Sequence, residues 1–247
     1  MPASAPEYGE IFHRRGGSYD QAMRLCPDAR AAEFRALLRH VDPADLRRVA
    51  DIPSGGGYLG RYLPGGVALD SYDPAGSFRG AGGVRAVDLD APRLARRNYD
   101  LMTCLASLHH VADKSAFFDA LAAHLRPGGR IVLADVVEGT PVARFLDGFV
   151  ARHNGMGHDG FYLSAADPFD FGRGHPRVAD AIVETVAVPW HFSGRRELGA
   201  FCRLLFGLGD IDADEVAGAV EKELGLREEG RGCTIAWVLT YVTVTLK

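Results

Sequence analysis

The sequence predicts an α/β fold built on a mostly parallel sheet. Three observations predict it. Short apolar runs alternate with helical stretches from residue 47 onward. Acids stand at the ends of the first three runs, at Asp51, Asp70 and Asp88. The first run leads through Gly55-Gly56-Gly57 into a helix-like segment, which is the local architecture for a nucleotide-like ligand.

Residues 1–19 carry Pro, Gly and aromatic residues without periodicity and read as a loose arm. Residues 28–40 show helical spacing, broken at Asp42-Pro43, so 1–43 form an N-terminal cap. Residues 47–52 are a first strand, and 58–63 a short helix stopped by Pro64-Gly65-Gly66. Residues 67–69 and 84–87 are short strands ending at Asp70 and Asp88. Residues 99–105 are apolar on both faces after Asp100, as in a strand covered by helices on both sides.

Asp113 is placed to cap a helix through Leu125, and Arg126-Pro127-Gly128-Gly129 turns into a fifth strand at 130–136. Short links between strands and helices imply right-handed parallel crossovers. Residues 139–180 break the rhythm. After a helical start at 141–150 they are too long and too aromatic for a plain connector, and are expected to form a lid. A strand resumes at 181–188. Ser193 is expected to cap one helix, and Asp212 with Glu215 to form a capping box for another ending at Gly225. Residues 233–246 read as one long terminal strand.

At 247 residues the chain is expected to form a single domain, 1–247. A net charge of -4 without a dense basic block argues against nucleic acid or an anionic membrane as the partner. No run approaches the ~18 apolar residues of a membrane span. No leader pattern opens the chain, and the four dispersed cysteines read as reduced thiols, so a cytoplasmic location is expected. The expected partner is a small molecule, with the protein a monomer or homodimer.

In a parallel sheet the strand ends converge on one crevice. An acid after strand two is placed to accept hydrogen bonds from ribose hydroxyls. One after strand three can meet an adenine amine, with Leu69, Leu89 and Leu105 walling the ring. His109 and His110 follow strand four and are the candidate bases, since an imidazole titrates near neutrality. His153, His158, Tyr162, Trp190 and His191 are candidate substrate contacts. His153 and His158 are spaced like metal ligands, but the Asn-Gly-Met-Gly between them is not helical, so no metal is expected.

These segments resemble the class I S-adenosylmethionine-dependent methyltransferases over residues 46–138. Asp51-Ile52-Pro53-Ser54-Gly55-Gly56-Gly57 is similar to the family's opening motif, with Pro53 where a glycine is frequent. Val67-Ala68-Leu69-Asp70, Asp88-Leu89, residues 106–113 and residues 125–131 resemble the later motifs, in order. The resemblance implies a Rossmann-like three-layer sandwich with seven strands, the terminal one antiparallel beside the fifth. It implies S-adenosyl-L-methionine as cofactor, S-adenosyl-L-homocysteine as product, and methyl transfer to O, N, C or S of a small molecule. The implied cofactor residues are Asp51, Pro53, Ser54, Gly55, Gly57, Tyr58, Asp70, Asp88, Leu89 and Leu105. Three alternatives stay open: a non-methylating reaction with the same cofactor, a non-catalytic binding module, and a nicotinamide-dependent oxidoreductase. The last is open because residues 55–60 also satisfy G-x-G-x-x-G.

Overall fold

The computed structural model describes residues 8–78, 83–158, 160–230 and 232–247. Helices α1 (Tyr8–Leu25) and α2 (Ala31–Leu37) precede the sheet strands β1 (Arg48–Asp51), β2 (Ala68–Asp73), β3 (Arg85–Ala86) and β4 (Tyr99–Leu105). Helix α3 (Lys114–Ala122) leads to β5 (Leu125–Asp135). A helical segment follows: α4 (Pro141–Phe145), a π-helical turn (Leu146–Val150) and α5 (Ala151–His153). Then come β6 (Val178–Ala187), β7 (Trp190–Phe192), α6 (Arg195–Phe206), α7 (Ala213–Leu224), β8 (Leu226–Glu229), β9 (Gly232–Ile235) and β10 (Val238–Leu246).

The main sheet has seven strands in the order β3-β2-β1-β4-β5-β10-β6. The pairs among β1 to β5 are parallel, and β10 runs antiparallel between β5 and β6. This is the Rossmann-like sheet expected, with the terminal strand beside the fifth. Strand β4 feeds hydrophobic cores on both faces, Leu101 and Leu105 on one side and Met102 and Cys104 on the other. That is why its sequence shows no alternation. Among the described residues no helix is long and apolar enough to cross a membrane.

The structure departs from expectation in six places. Residues 8–25 form helix α1, not a loose arm; residues 1–7 of that arm lie outside the described residues. Gly16 and Gly17 mask its helical pattern, because glycine is a poor helix former. Contact requires the first of them: a Cβ on Gly16 would lie 2.0 Å from Ser77 Oγ. Strand β2 runs past Asp70 to Asp73, because pairing of Tyr72 and Asp73 with β3 keeps the chain extended. The C-terminal run is two strands. Residues of β9 pair with β7 and β8 in a separate three-stranded sheet, and the chain crosses to the main sheet at Trp237, which stacks 4.2 Å from Trp190.

Helix α3 stops at Ala122, and Leu125 already pairs with Tyr99 as the start of β5. Helix α6 is preceded by Gly194 in extended backbone. The Ser193 amide donates to Glu197 Oε2 (2.7 Å), and no side chain caps the helix. The Asp212–Glu215 capping box forms as expected. The first part of the 139–180 insert is core: Val142, Phe145, Leu146, Phe149 and Val150 pack with Phe201 and Phe206. The loop beyond it returns to the sheet end, where Leu163 NH donates to Val136 O (3.0 Å) and Glu138 NH donates to Leu163 O (3.0 Å).

Candidate active site

The glycine loop sits at the carboxyl end of β1. Gly55 has φ +51 and Gly57 φ +79, a region that side chains with a Cβ rarely adopt. The Gly55 amide donates to Asp73 Oδ2 (2.9 Å), and the Ser54 amide donates to Tyr72 O (2.8 Å). Asp51, Pro53, Ser54 and Gly55 line a crevice with Leu105, Ala106 and Ser107 from the end of β4. Helix α1 roofs it with Tyr8, Phe12 and Tyr19.

Asp73, three residues beyond the acid expected to end the strand, organises this crevice. It is fully buried and also accepts from Tyr8 Oη (3.2 Å) and the Ala75 amide (2.8 Å). Asp70, the expected ribose acid, lies elsewhere. Successive side chains of a strand alternate between faces, so Asp70 shares the face of Tyr72 while Ser71 and Asp73 face the glycine loop. The Tyr99 hydroxyl donates to Asp70 (2.9 Å), with Arg85 and Arg96 at 3.4 and 3.5 Å.

The other cofactor candidates also fall outside the crevice lining. Gly57 faces Ser71, and Tyr58 donates its hydroxyl to Asp20. Asp88 is exposed and accepts from the Asp90 amide, while Leu89 is buried in the core that contains Tyr72.

Asp51 is buried and accepts from Thr103 Oγ1 (2.7 Å). Burial, opposed by that hydrogen bond and reinforced by Asp73, pushes its carboxyl up to about 7. An acid harder to ionise in the folded than in the unfolded chain destabilises the fold as pH rises from about 4 through about 7. Asp51→Asn is therefore expected to melt at a higher temperature than the parent at pH 8, with the two converging near pH 4. A difference in melting temperature that does not change with pH would contradict the assignment.

A second cavity adjoins the crevice, and Phe12, Tyr19, Arg30 and Ala106 line both. Ala106 takes φ +50 at the junction, a conformation that costs a residue with a Cβ energy. The other walls are His109, His110, His158, Arg15 and an apolar side of Val136, Leu146, Val150, Trp190, Phe206 and Trp237. Arg15 Nε and Trp237 Nε1 are buried and have no hydrogen-bond partner among the described residues.

His109 and His110 form the short turn after β4. His109 Nδ1 lies 2.8 Å from Asp135 Oδ1, and its amide donates to Asp135 Oδ2 (2.8 Å). An ionised carboxylate only accepts, so Nδ1 carries a proton and Nε2 is the nitrogen turned away from Asp135. Burial works to raise Asp135, but His109 and the Val136 amide outweigh it and hold the carboxyl below its usual range. Burial first, then His109 and His158, hold His110 well below the usual imidazole range. His158 is pushed down to about 4, mainly by burial and His109, against the pull of Asp147.

The long loop delivers His158 here because Phe161 NH donates to His109 O (2.7 Å). Asp147, on the π-helical turn, accepts from Tyr162 Oη (2.6 Å) and lies 3.0 Å from His158 Nδ1. Tyr162 packs its ring against His109 and His158, and Trp190 lines the same cavity among Phe206 and Trp237. His153 packs on Phe149, and His191 is exposed beside Thr234; neither lines the cavity. Asp159, beside His158, lies outside the described residues. Asp135 and Asp147 escaped the sequence reading, although a lone acid ending the apolar run Ile131-Val132-Leu133-Ala134-Asp135 was a usable signal.

A family model described as a methyltransferase domain matches residues 24–159, more than half of the chain. The chain belongs to the class I S-adenosylmethionine-dependent methyltransferases. Its cofactor is accordingly S-adenosyl-L-methionine, and the nicotinamide reading falls. No curated protein matches the sequence. Among solved structures the methyltransferase is similar to Haemonchus contortus phosphoethanolamine N-methyltransferase 2 in complex with S-adenosyl-L-methionine. The TM-score is 0.64 and the identity 11%, covering 99% of this chain and 61% of that one. It is similar to a SAM-dependent methyltransferase of Thermotoga maritima, with TM-score 0.61 and identity 12%, covering 97% and 99% of the two chains. It is also similar to the [4+2]-cyclase SpnF, with TM-score 0.58 and identity 14%, covering 96% and 94%. At these identities the likenesses bear on the fold.

Proposed function

We propose that this methyltransferase methylates a hydroxyl oxygen of a small, largely apolar molecule that also carries a hydrogen-bond-accepting group such as a carboxylate. The observation that carries this reading is the second cavity. It opens at Ala106 onto the crevice, its wall is mostly apolar, and Arg15 and Trp237 bring it two buried donors without partners. A buried donor left unmatched costs about 1–3 kcal/mol, which favours an acceptor that supplies the matching oxygen. The net charge of -4 and the narrow cavity favour a metabolite over nucleic acid. We read the protein as a cytoplasmic monomer or homodimer.

The crevice residues fit the cofactor. Ser54 Oγ is buried without a partner beside the positive-φ glycine, and Asp51 and Asp73 offer carboxylates to a cationic, hydroxyl-rich ligand. When bound, S-adenosyl-L-methionine supplies the methyl group on a sulfonium sulfur. In our reading Asp73 accepts ribose hydroxyls, the role first expected of Asp70, and Asp51 complements positive charge. The Tyr8 phenol now occupies Asp73, and Tyr19 lies against Gly55. The crevice measures about 40 Å³ and the acceptor cavity about 80 Å³, against the ~300–1,000 Å³ of ligand sites. Helix α1 therefore shifts to admit ligands and closes over them, excluding water. The His109–His110 cluster activates the acceptor hydroxyl, with Asp135 fixing the His109 tautomer.

Isothermal titration should show one site for S-adenosyl-L-methionine and for S-adenosyl-L-homocysteine, with α1 losing hydrogen-exchange protection during entry. Incubation with apolar hydroxy acids and phenols, read by mass spectrometry, should give products heavier by one CH₂. Cofactor binding with turnover only of amines or thiols would overturn the acceptor assignment.

A further inference from the structure

The three imidazoles at the base of the acceptor cavity are arranged as ligands. Among the described residues, one ring nitrogen from each of His109, His110 and His158 lies within 4.8 Å of the others. We propose that these three histidines bind a divalent zinc-class cation whose remaining coordination position faces the acceptor cavity. This rests on the reading of the cavity as the acceptor site, and names how the histidine cluster activates the acceptor.

Four observations support it. Neutral imidazole is the usual ligand for zinc, and a set of three histidines with an open fourth position is a recognised catalytic arrangement. Rings around a tetrahedral ion have centroids roughly 5 Å apart, given Zn–N distances of about 2.0–2.1 Å. Here the three centroid separations are 4.2, 5.3 and 5.9 Å, so small ring rotations complete the site.

Histidine ligands ordinarily donate their second ring N–H to a carboxylate, which orients the ring and raises its basicity. Two of these three have that partner, His109 with Asp135 and His158 with Asp147. Those carboxylates place two negative charges behind the rings, and of the two guanidiniums that line the cavity, Arg15 and Arg30, the second is paired with Glu33.

The fourth observation is the loop anchor. The Phe161 amide is bonded to the carbonyl of His109 itself, so the segment carrying His158 is tied to the ligand turn. The spacing that drew attention in the sequence, His153 with His158, is not the one used: His153 lies toward Asp210.

An acceptor hydroxyl in the open position would ionise near neutral pH, its proton passing to water, as metal-bound water does. Its oxygen would be held in the cavity that meets the crevice at Ala106. The lone pair of His109 is then a metal ligand rather than a free base.

The test uses the full chain stripped of metal, with Co²⁺ as the probe. We expect one equivalent of Co²⁺ to bind with the visible absorption of a four-coordinate site, and Zn²⁺ to displace it. Acetohydroxamate, an oxygen donor, should shift the band. His158→Ala and His110→Ala should each weaken Co²⁺ binding by at least ~10-fold, and Asp147→Asn by ~10–100-fold. His158 sits on a loop, so its variant should keep the parent's circular dichroism and its affinity for S-adenosyl-L-methionine. Absence of Co²⁺ binding, binding unchanged in these variants, or a band indifferent to acetohydroxamate would overturn the proposal. Cofactor titration of the same metal-free protein reports separately on the methyltransferase reading.

Discussion

Asp73→Asn is expected to weaken S-adenosyl-L-methionine binding by roughly 10–150-fold, the effect of losing a charged hydrogen-bond acceptor worth about 1.5–3 kcal/mol. Asp73 is the point at which the glycine loop, the end of β2 and helix α1 meet. It accepts from Gly55, Ala75 and Tyr8. The asparagine keeps the shape and one acceptor oxygen, so the Gly55 turn survives while the negative charge is lost. The control is Asp70→Asn, on the opposite face of the strand. Among the described residues it disturbs contacts with Tyr99, Arg85 and Arg96, and cofactor affinity should change by less than about threefold. Titration calorimetry on both variants reads this directly. If Asp70→Asn loses affinity and Asp73→Asn does not, the ribose acid is Asp70 and the strand-face argument fails.

The second large effect falls on the chemistry. His109→Ala should lower kcat by roughly 10²–10⁴-fold, the usual range for loss of acid–base activation, whether His109 takes the acceptor's proton itself or holds the cation that ionises the hydroxyl. Cofactor affinity should stay within about threefold, because His109 lines the acceptor cavity and not the crevice. Asp135→Asn should lower kcat by about 10–100-fold without removing any atom from the cavity wall. Asp135 meets His109 through both its oxygens, so the amide substitution disturbs the tautomer and the ring orientation together. Single-turnover measurements with an identified acceptor separate this from a binding defect. A variant with unchanged kcat and raised KM would make His109 a wall residue. Because both side chains are buried, thermal melts of each variant accompany the kinetics.

The parts of this molecule legible in the sequence are those dictated by local chemistry. The glycine loop after Asp51 was visible because only glycine sits easily at positive φ. Strand β4 was visible because a strand covered on both faces has no polar alternation. The capping box of α7 was visible because both of its hydrogen bonds are made within one turn. His109 and His110 were legible as candidates because they follow a strand end, where side chains of a parallel sheet meet ligands.

Helix α1 was not legible, since its Gly16 answers to Ser77 and not to helix propensity. Nor was the identity of the acid at the glycine loop. Asp70 and Asp73 are both acids near a strand end, and pairing with a two-residue neighbour, β3, decides which one closes the strand. His153 and His158 looked equivalent as loop histidines. One backbone bond, from Phe161 to His109, brings the second to the cavity, while the first stays with Phe149.

By itself, then, the sequence determined the order of strands from β1 to β5, the glycine turn after β1 and the class of enzyme, because turn chemistry and hydrophobic period act over a few residues. Only the tertiary structure decided which carboxylates face the crevice, that α1 roofs it, and that three imidazoles with two supporting acids share one cavity. Those are convergences of side chains from distant segments, set by strand pairing and loop anchoring rather than by any local pattern.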